Sequence, residues 1–161
     1  MKFRLALVSL ATFALAASLF AQTKITGTAS CKADPMTPVE VGDTAGHALA
    51  VQKATCTWTG LEMAGSPAKD GVSVASAEIR GNNSTSRGYH SGTLASGDKW
   101  TCSFQGKGVS KDGKPVSDSG TWTMTSGTGK LKGIKGKGTF KGTPNADGTM
   151  SYAIEGEYSV P

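Results

Sequence analysis

The stretch Lys99–Gly108, KWTCSFQGKG, alternates without a break. Trp100, Cys102, Phe104 and Gly106 occupy one parity; Lys99, Thr101, Ser103, Gln105 and Lys107 occupy the other. Only a strand separates two such sets, because its side chains point to opposite faces with period two. The pattern recurs. Val116–Ser126 sets Trp122 and Met124 against Ser119, Thr121, Thr123 and Thr125, and Thr149–Val160 puts Met150, Tyr152, Ile154 and Tyr158 on one side. Breaks rich in Gly, Asp, Asn and Pro separate these runs, among them Ser96-Gly97-Asp98, Lys111–Pro115 and Pro144–Gly148. Beyond the first 21 residues no segment carries the 3.6-residue apolar spacing of a helix. The chain reads as all-β.

Eight candidate strands emerge: Lys24–Lys32, His47–Thr59, Val72–Gly81, Arg87–Ala95, Lys99–Gly108, Val116–Ser126, Gly136–Gly142 and Thr149–Val160. Ala33–Gly46 and Gly60–Gly71 read as loops and Asn82–Ser86 as a turn. Exposed sheet edges invite association, and eight strands can close on themselves and leave none. The expected fold is therefore an eight-stranded antiparallel up-and-down (meander) β-barrel. In its last hairpin, pairing Phe140 with Tyr152 brings Lys137 opposite Glu155 and Lys135 opposite Glu157.

The N-terminus has a different character. Lys2 and Arg4 precede an apolar run, Leu5–Phe20, and small residues lead into Gln22. That is the layout of a secretory signal peptide, too short and wrongly flanked for a spanning helix. Cleavage after Ala21 is expected, with Ser18 as the alternative. The single domain is then 22–161, secreted or periplasmic, with no further membrane-inserted segment. Removing Lys2 and Arg4 from 17 basic residues leaves 15 against 12 acidic ones, a net charge of +3. So mild an excess, spread along strands, argues for solubility and against a nucleic-acid partner.

Three cysteines remain, Cys31, Cys56 and Cys102. An oxidising compartment favours one bridge and one leftover thiol. Cys31 and Cys56 fall on inward positions of neighbouring strands, and a hairpin centred near Asp43-Thr44 brings them level. They are the expected disulfide, with Cys56–Cys102 as the rival pairing. No zinc-like spacing occurs, so no metal is expected.

Gly127–Gly142, GTGKLKGIKGKGTFKG, divides the long Thr/Ser-rich strands from the final hairpin. A phosphate loop would need glycine where Met124 stands and Ser or Thr where Leu131 stands. The dinucleotide pattern fails as well, because Lys132 replaces its third glycine. No cofactor is expected. The segment reads instead as a turn and a bent strand, with Gly136, Gly138 and Phe140 facing in and Lys135, Lys137 and Lys141 facing out. Residues 126–138, SGTGKLKGIKGKG, resemble the glycine turn before the last strands of the allene oxide cyclase and dirigent barrels, a calycin-like architecture. They are also similar to small secreted bacterial proteins of unknown function. The resemblance implies an eight-stranded barrel with a central cavity. No catalytic residue of the plant families has a matching motif here, so none is carried over.

Trp58, Trp100, Phe104, Trp122 and Tyr152 are expected to point inward, where they either fill the core or line a cavity for a small apolar or aromatic ligand. Glu78 and His90 would be the polar anchors of such a site. Glu78 has a plainer role as the partner of Arg80 in an exposed ion pair, and His90 as a surface strand residue. A barrel enzyme of isomerase or cyclase type would use the same groups. An interaction protein working through its lysine-rich surface is the third reading. No catalytic set is assigned.

Overall fold

The computed structural model describes residues 22–161, and the signal peptide expected over 1–21 lies outside the described residues. Its strands are β1 (Thr23–Ala33), β2 (Val39–Glu40), β3 (His47–Thr59), β4 (Glu62–Met63), β5 (Ser66–Arg80), β6 (Asn83–Leu94), β7 (Lys99–Lys111), β8 (Lys114–Gly127), β9 (Lys135–Pro144) and β10 (Met150–Ser159). The eight long strands each pair antiparallel with the next in the chain, and β10 returns to β1. They form a closed meander barrel. Cys31 and Cys56 are directly opposite across β1 and β3 and are bonded, as expected. Closing this 25-residue separation stabilises by roughly 3 kcal/mol on the chain-entropy account.

Local chemistry explains the hairpins. Asp112 and Gly113 both take positive φ, 52° and 73°, and the two-residue turn they form sets Lys111 opposite Lys114. Three expectations are corrected. The turn placed over Asn82–Ser86 is Gly81-Asn82 alone; Asn83 onward is strand, held by β5 on one side and β7 on the other. Part of the loop placed over Gly60–Gly71 is strand too, because Leu61, Met63 and Ala68 bury their side chains and draw β4 against β5. In the last hairpin Phe140 faces Ile154 rather than Tyr152, so Lys137 meets Glu157 and Lys135 meets Ser159. The cause is the loop Asn145–Thr149. Its Asn145 N–H donates to the Thr149 carbonyl at 2.8 Å, and Asp147 accepts from the Thr149 N–H at 3.0 Å. This five-residue loop displaces the register by two. An even shift keeps every parity, so the lysines stay exposed.

Inside, rings lie over glycines. A Cβ on Gly92 would stand 2.2 Å from the Trp100 ring, one on Gly138 2.5 Å from Trp122, one on Gly142 2.6 Å from Tyr152, and one on Gly71 2.4 Å from the His90 imidazole. Each glycine therefore makes the space its partner ring occupies. One end of the barrel is plugged by Leu61, Met63, Leu94, Leu131 and Ile134, none more than 3% exposed. The last two come from the glycine corner, whose 3-10 turn Gly129–Leu131 and the following Ile134 drop into the core.

Candidate functional site

The two ends of the barrel differ because its strands differ in length. The β5–β6 ladder runs to Arg80 opposite Asn83, and the β7–β8 ladder to Lys111 opposite Lys114. The β8–β9 ladder stops at Asp118 opposite Gly142, and the β9–β10 ladder ends at Pro144 opposite Met150. At this end β3, β5, β6, β7 and β8 outrun the rest, with β2 alongside. The same six strands border an open cavity of about 1330 Å³. Along it runs a row of direct cross-strand partners, Ala50, Ala77, Ser86, Gly106 and Gly120. The row has the parity of the aromatic core, but its members are all small. Val39, Val41, Leu49 and Val51 give the border apolar members, and Glu78, Arg87, Gln105 and Lys107 give it polar ones, with Leu49 directly opposite Glu78 across β3 and β5. A second cavity of about 770 Å³, bordered by Val74, Tyr89 and Phe104 among others, adjoins it.

The sequence-predicted ring residues lie elsewhere. Trp100 and Trp122 are buried, and Trp58, Phe104 and Tyr152 are partly so. They pack on one another: Trp58 and Trp100 centroids are 6.2 Å apart, and Phe140 lies edge-on to both Phe104, at 6.2 Å, and Tyr152, at 5.9 Å. Of the seven candidates, Glu78 borders the large cavity and Phe104 the smaller one; Trp58, Trp100, Trp122, Tyr152 and His90 border neither. What these five build is a core.

His90 belongs to that core and not to the surface. It is 7% exposed. The Trp58 indole N–H, which can only donate, lies 3.2 Å from its Nε2, so Nε2 is the acceptor and the proton sits on Nδ1. Nδ1–H then donates to Ser73 Oγ at 2.9 Å. Burial holds its pKa down to about 4, so the ring is neutral across the physiological range. Both nitrogens are engaged. Its cross-strand partner Cys102 is the free cysteine among the described residues, and burial pushes that thiol up to about 11. A protonated, buried thiol is a poor nucleophile.

Glu78 is better connected than an exposed ion pair would be. It takes Arg80 at 2.7 Å, and this guanidinium is the chief reason its carboxyl sits below the usual range. It also meets His47 Nε2 at 3.1 Å. His47 Nδ1 bonds Asp43, whose carboxyl that hydrogen bond lowers. The imidazole thus ties the turn after β2 to β5, beside the cavity border.

Asp118 escaped the sequence reading. It stands at the inward parity of β8, two residues before Gly120 and four before Trp122, so the alternation itself marked it. It lies within the expected strand Val116–Ser126, where a lone carboxyl between serines carries no motif. The Tyr152 hydroxyl donates to Asp118 Oδ2 at 3.3 Å, while Oδ1 is buried with no partner. Burial raises the Asp118 carboxyl, and burial followed by the carboxylate's charge raises the Tyr152 phenol.

The glycine corner holds a carboxylate of its own. Asp98 Oδ2 accepts from the Lys130 N–H at 3.3 Å, and a Cβ on Gly129 would collide with Asp98. The backbone that a phosphate would need is therefore already faced by an anion. No group of His, Cys, Asp or Glu among the described residues is arranged to hold a metal. No protein-family model matches the chain, and no curated protein matches it. Among the described residues, no helix is long and apolar enough to cross a membrane.

Proposed function

We propose that this is a secreted or periplasmic, non-catalytic barrel that binds a small amphipathic ligand at its open end. The observation that carries the reading is the 1330 Å³ cavity, whose border combines the apolar Val39, Leu49 and Val51 with the polar Arg87, Gln105 and Lys107. Small-molecule sites are concave, largely apolar and furnished with a few polar groups. Val39 and Val51 are 68% and 71% exposed, a poor use of valine unless something covers it. The seat moves from the aromatic interior of the original expectation to the row of small residues, because the rings are spent on glycines and on each other. Kinship with small secreted bacterial barrel proteins is part of the same reading and rests on residues 126–138.

The barrel-enzyme reading stands second, favoured by one observation: Asp118 is a part-buried carboxyl with a raised pKa. It lacks a second reactive group, since His90 and Cys102 are engaged or protonated. The lysine-rich surface ranks third, because Lys137 faces Glu157 across the strands.

The test is titration with 8-anilinonaphthalene-1-sulfonate, an apolar aromatic probe with one charged end. The native protein raises its fluorescence saturably, and Leu49→Asp with Val51→Asp abolishes the rise while leaving the β-sheet circular dichroism intact. Unsaturable fluorescence, or binding indifferent to both substitutions, would sink the proposal.

A further inference from the structure

We infer that Arg87 and Lys107 hold an anionic head group, so that the ligand is an apolar or aromatic body ending in a carboxylate, sulfonate or phosphate. This rests on the binding reading above and specifies its ligand. The two cavities meet along one row of direct cross-strand partners, Val51, Ser76, Arg87, Gln105 and Thr121, and all five border both. Val51 is the large apolar side chain of that row and Arg87 its one charge. Apolar surface continues from Val51 to Leu49 and Val39 in the larger cavity. In the smaller it continues to Val74 and Tyr89, which are directly opposite each other. Arg87 stands beside both arms, in the row of Val51 and two residues before Tyr89 on β6.

The cations at this junction are uncompensated. None of the ion pairs among the described residues includes Arg87 or Lys107. Across the ladders Arg87 lies between Ser76 and Gln105, and Lys107 between Thr85 and Ser119, so every direct partner is uncharged and able to donate a hydrogen bond. Lys24 and Lys137 differ, because both lie opposite Glu157. Of the carboxylates on the border, Glu78 is taken by Arg80 and His47. Glu40 is on β2, with β3 and β5 between it and Arg87. A concave surface whose free charges share one sign concentrates potential in one place. The guanidinium fork matches the paired oxygens of an acid head group, and an amine head would meet repulsion there.

Two dyes with one ring system test it on the full mature chain: 8-anilinonaphthalene-1-sulfonate and its uncharged parent, N-phenyl-1-naphthylamine. Both bind saturably. Arg87→Gln with Lys107→Gln weakens the sulfonate at least about fivefold, the upper scale of an exposed charge pair, and leaves the uncharged dye within about twofold. The charge-matched control, Lys24→Gln with Lys137→Gln, leaves both dyes within about twofold. All four side chains are exposed, so the variants keep the native circular dichroism. A sulfonate affinity indifferent to the first pair, or lowered as much by the control pair, overturns the head-group assignment and leaves the cavity standing. Saturable binding of neither dye overturns both. Phosphatidylglycerol vesicles separate a free ligand from a membrane lipid: the protein stays in the supernatant when they are sedimented. Co-sedimentation abolished by Arg87→Gln with Lys107→Gln would overturn the single seated ligand in favour of a bilayer surface.

Discussion

The plugged end and the open end of this barrel are walled by the same strands but filled by opposite means. At the plugged end the inward positions of β6, β7 and β8 carry Leu94, Trp100, Cys102, Trp122 and Met124, and loops add Leu61, Leu131 and Ile134. At the open end the inward positions of the same strands carry Ser86, Gly106 and Gly120. One end commits its interior to stability. The other keeps the strand scaffold and gives up the filling, which is how a small barrel can present a concavity without losing its core.

This contrast is broken most forcefully by deleting a ring. Trp100 is 2% exposed and lies over Gly92, which has no side chain of its own to occupy the space the ring would leave. Trp100→Ala costs about 3–5 kcal/mol, read from urea denaturation midpoints. Loss below about 1 kcal/mol would mean the plugged end is loosely packed and the distinction between the ends is false.

Acid provides a gentler probe of the same end. His90 titrates near 4 in the fold against about 6.5 when unfolded. Between those values the unfolded chain binds more protons, so stability rises with pH across the window. Its contribution is complete above 6.5 and lost as pH falls toward 4, a change on the order of 3 kcal/mol. Asp118 works with the opposite sign: its raised carboxyl contributes stability while protonated and loses it as pH rises through the folded value. Denaturation midpoints at pH 7 and 4.5 measure the slope, and His90→Gln flattens it. An equal slope in both proteins would refute the buried neutral imidazole.

The fold was legible because period-two alternation survives each strand and because even register errors preserve facing. The disulfide was legible for the same reason: Cys31 and Cys56 share a parity and straddle a turn. The register of β9 against β10 was not, since it depends on whether Asn145 and Asp147 bond within the loop or yield to the ladder. Leu131 and Ile134 look like stray apolar residues in a glycine-lysine tract; only the three-dimensional corner turns them inward. The candidate site was the least legible part. Sequence reading follows large residues, and here the rings fill space while the cavity is written in Ala, Ser and Gly, residues that carry no pattern of their own. Asp118 had the inward parity within the expected strand Val116–Ser126, but a single carboxyl between two serines carries no motif.

The smallest expected effect is the sharpest test of the open end. Leu49 and Val51 are 52% and 71% exposed, yet both are large aliphatic side chains bordering the cavity. If they were ordinary surface residues, shortening them would change neither stability nor anything else. If they wall a binding cavity, shortening them changes binding alone. Leu49→Ala and Val51→Ala should each fall within about 0.5 kcal/mol of the native stability by urea denaturation, because little of either side chain is withdrawn from water in the free protein. Binding of 8-anilinonaphthalene-1-sulfonate should weaken several-fold in each, because the bound probe would cover about one to three methylene groups of wall that the alanine no longer supplies. A variant that loses stability instead, with binding unchanged, would place Leu49 and Val51 in the core's service and remove the functional difference between the two ends.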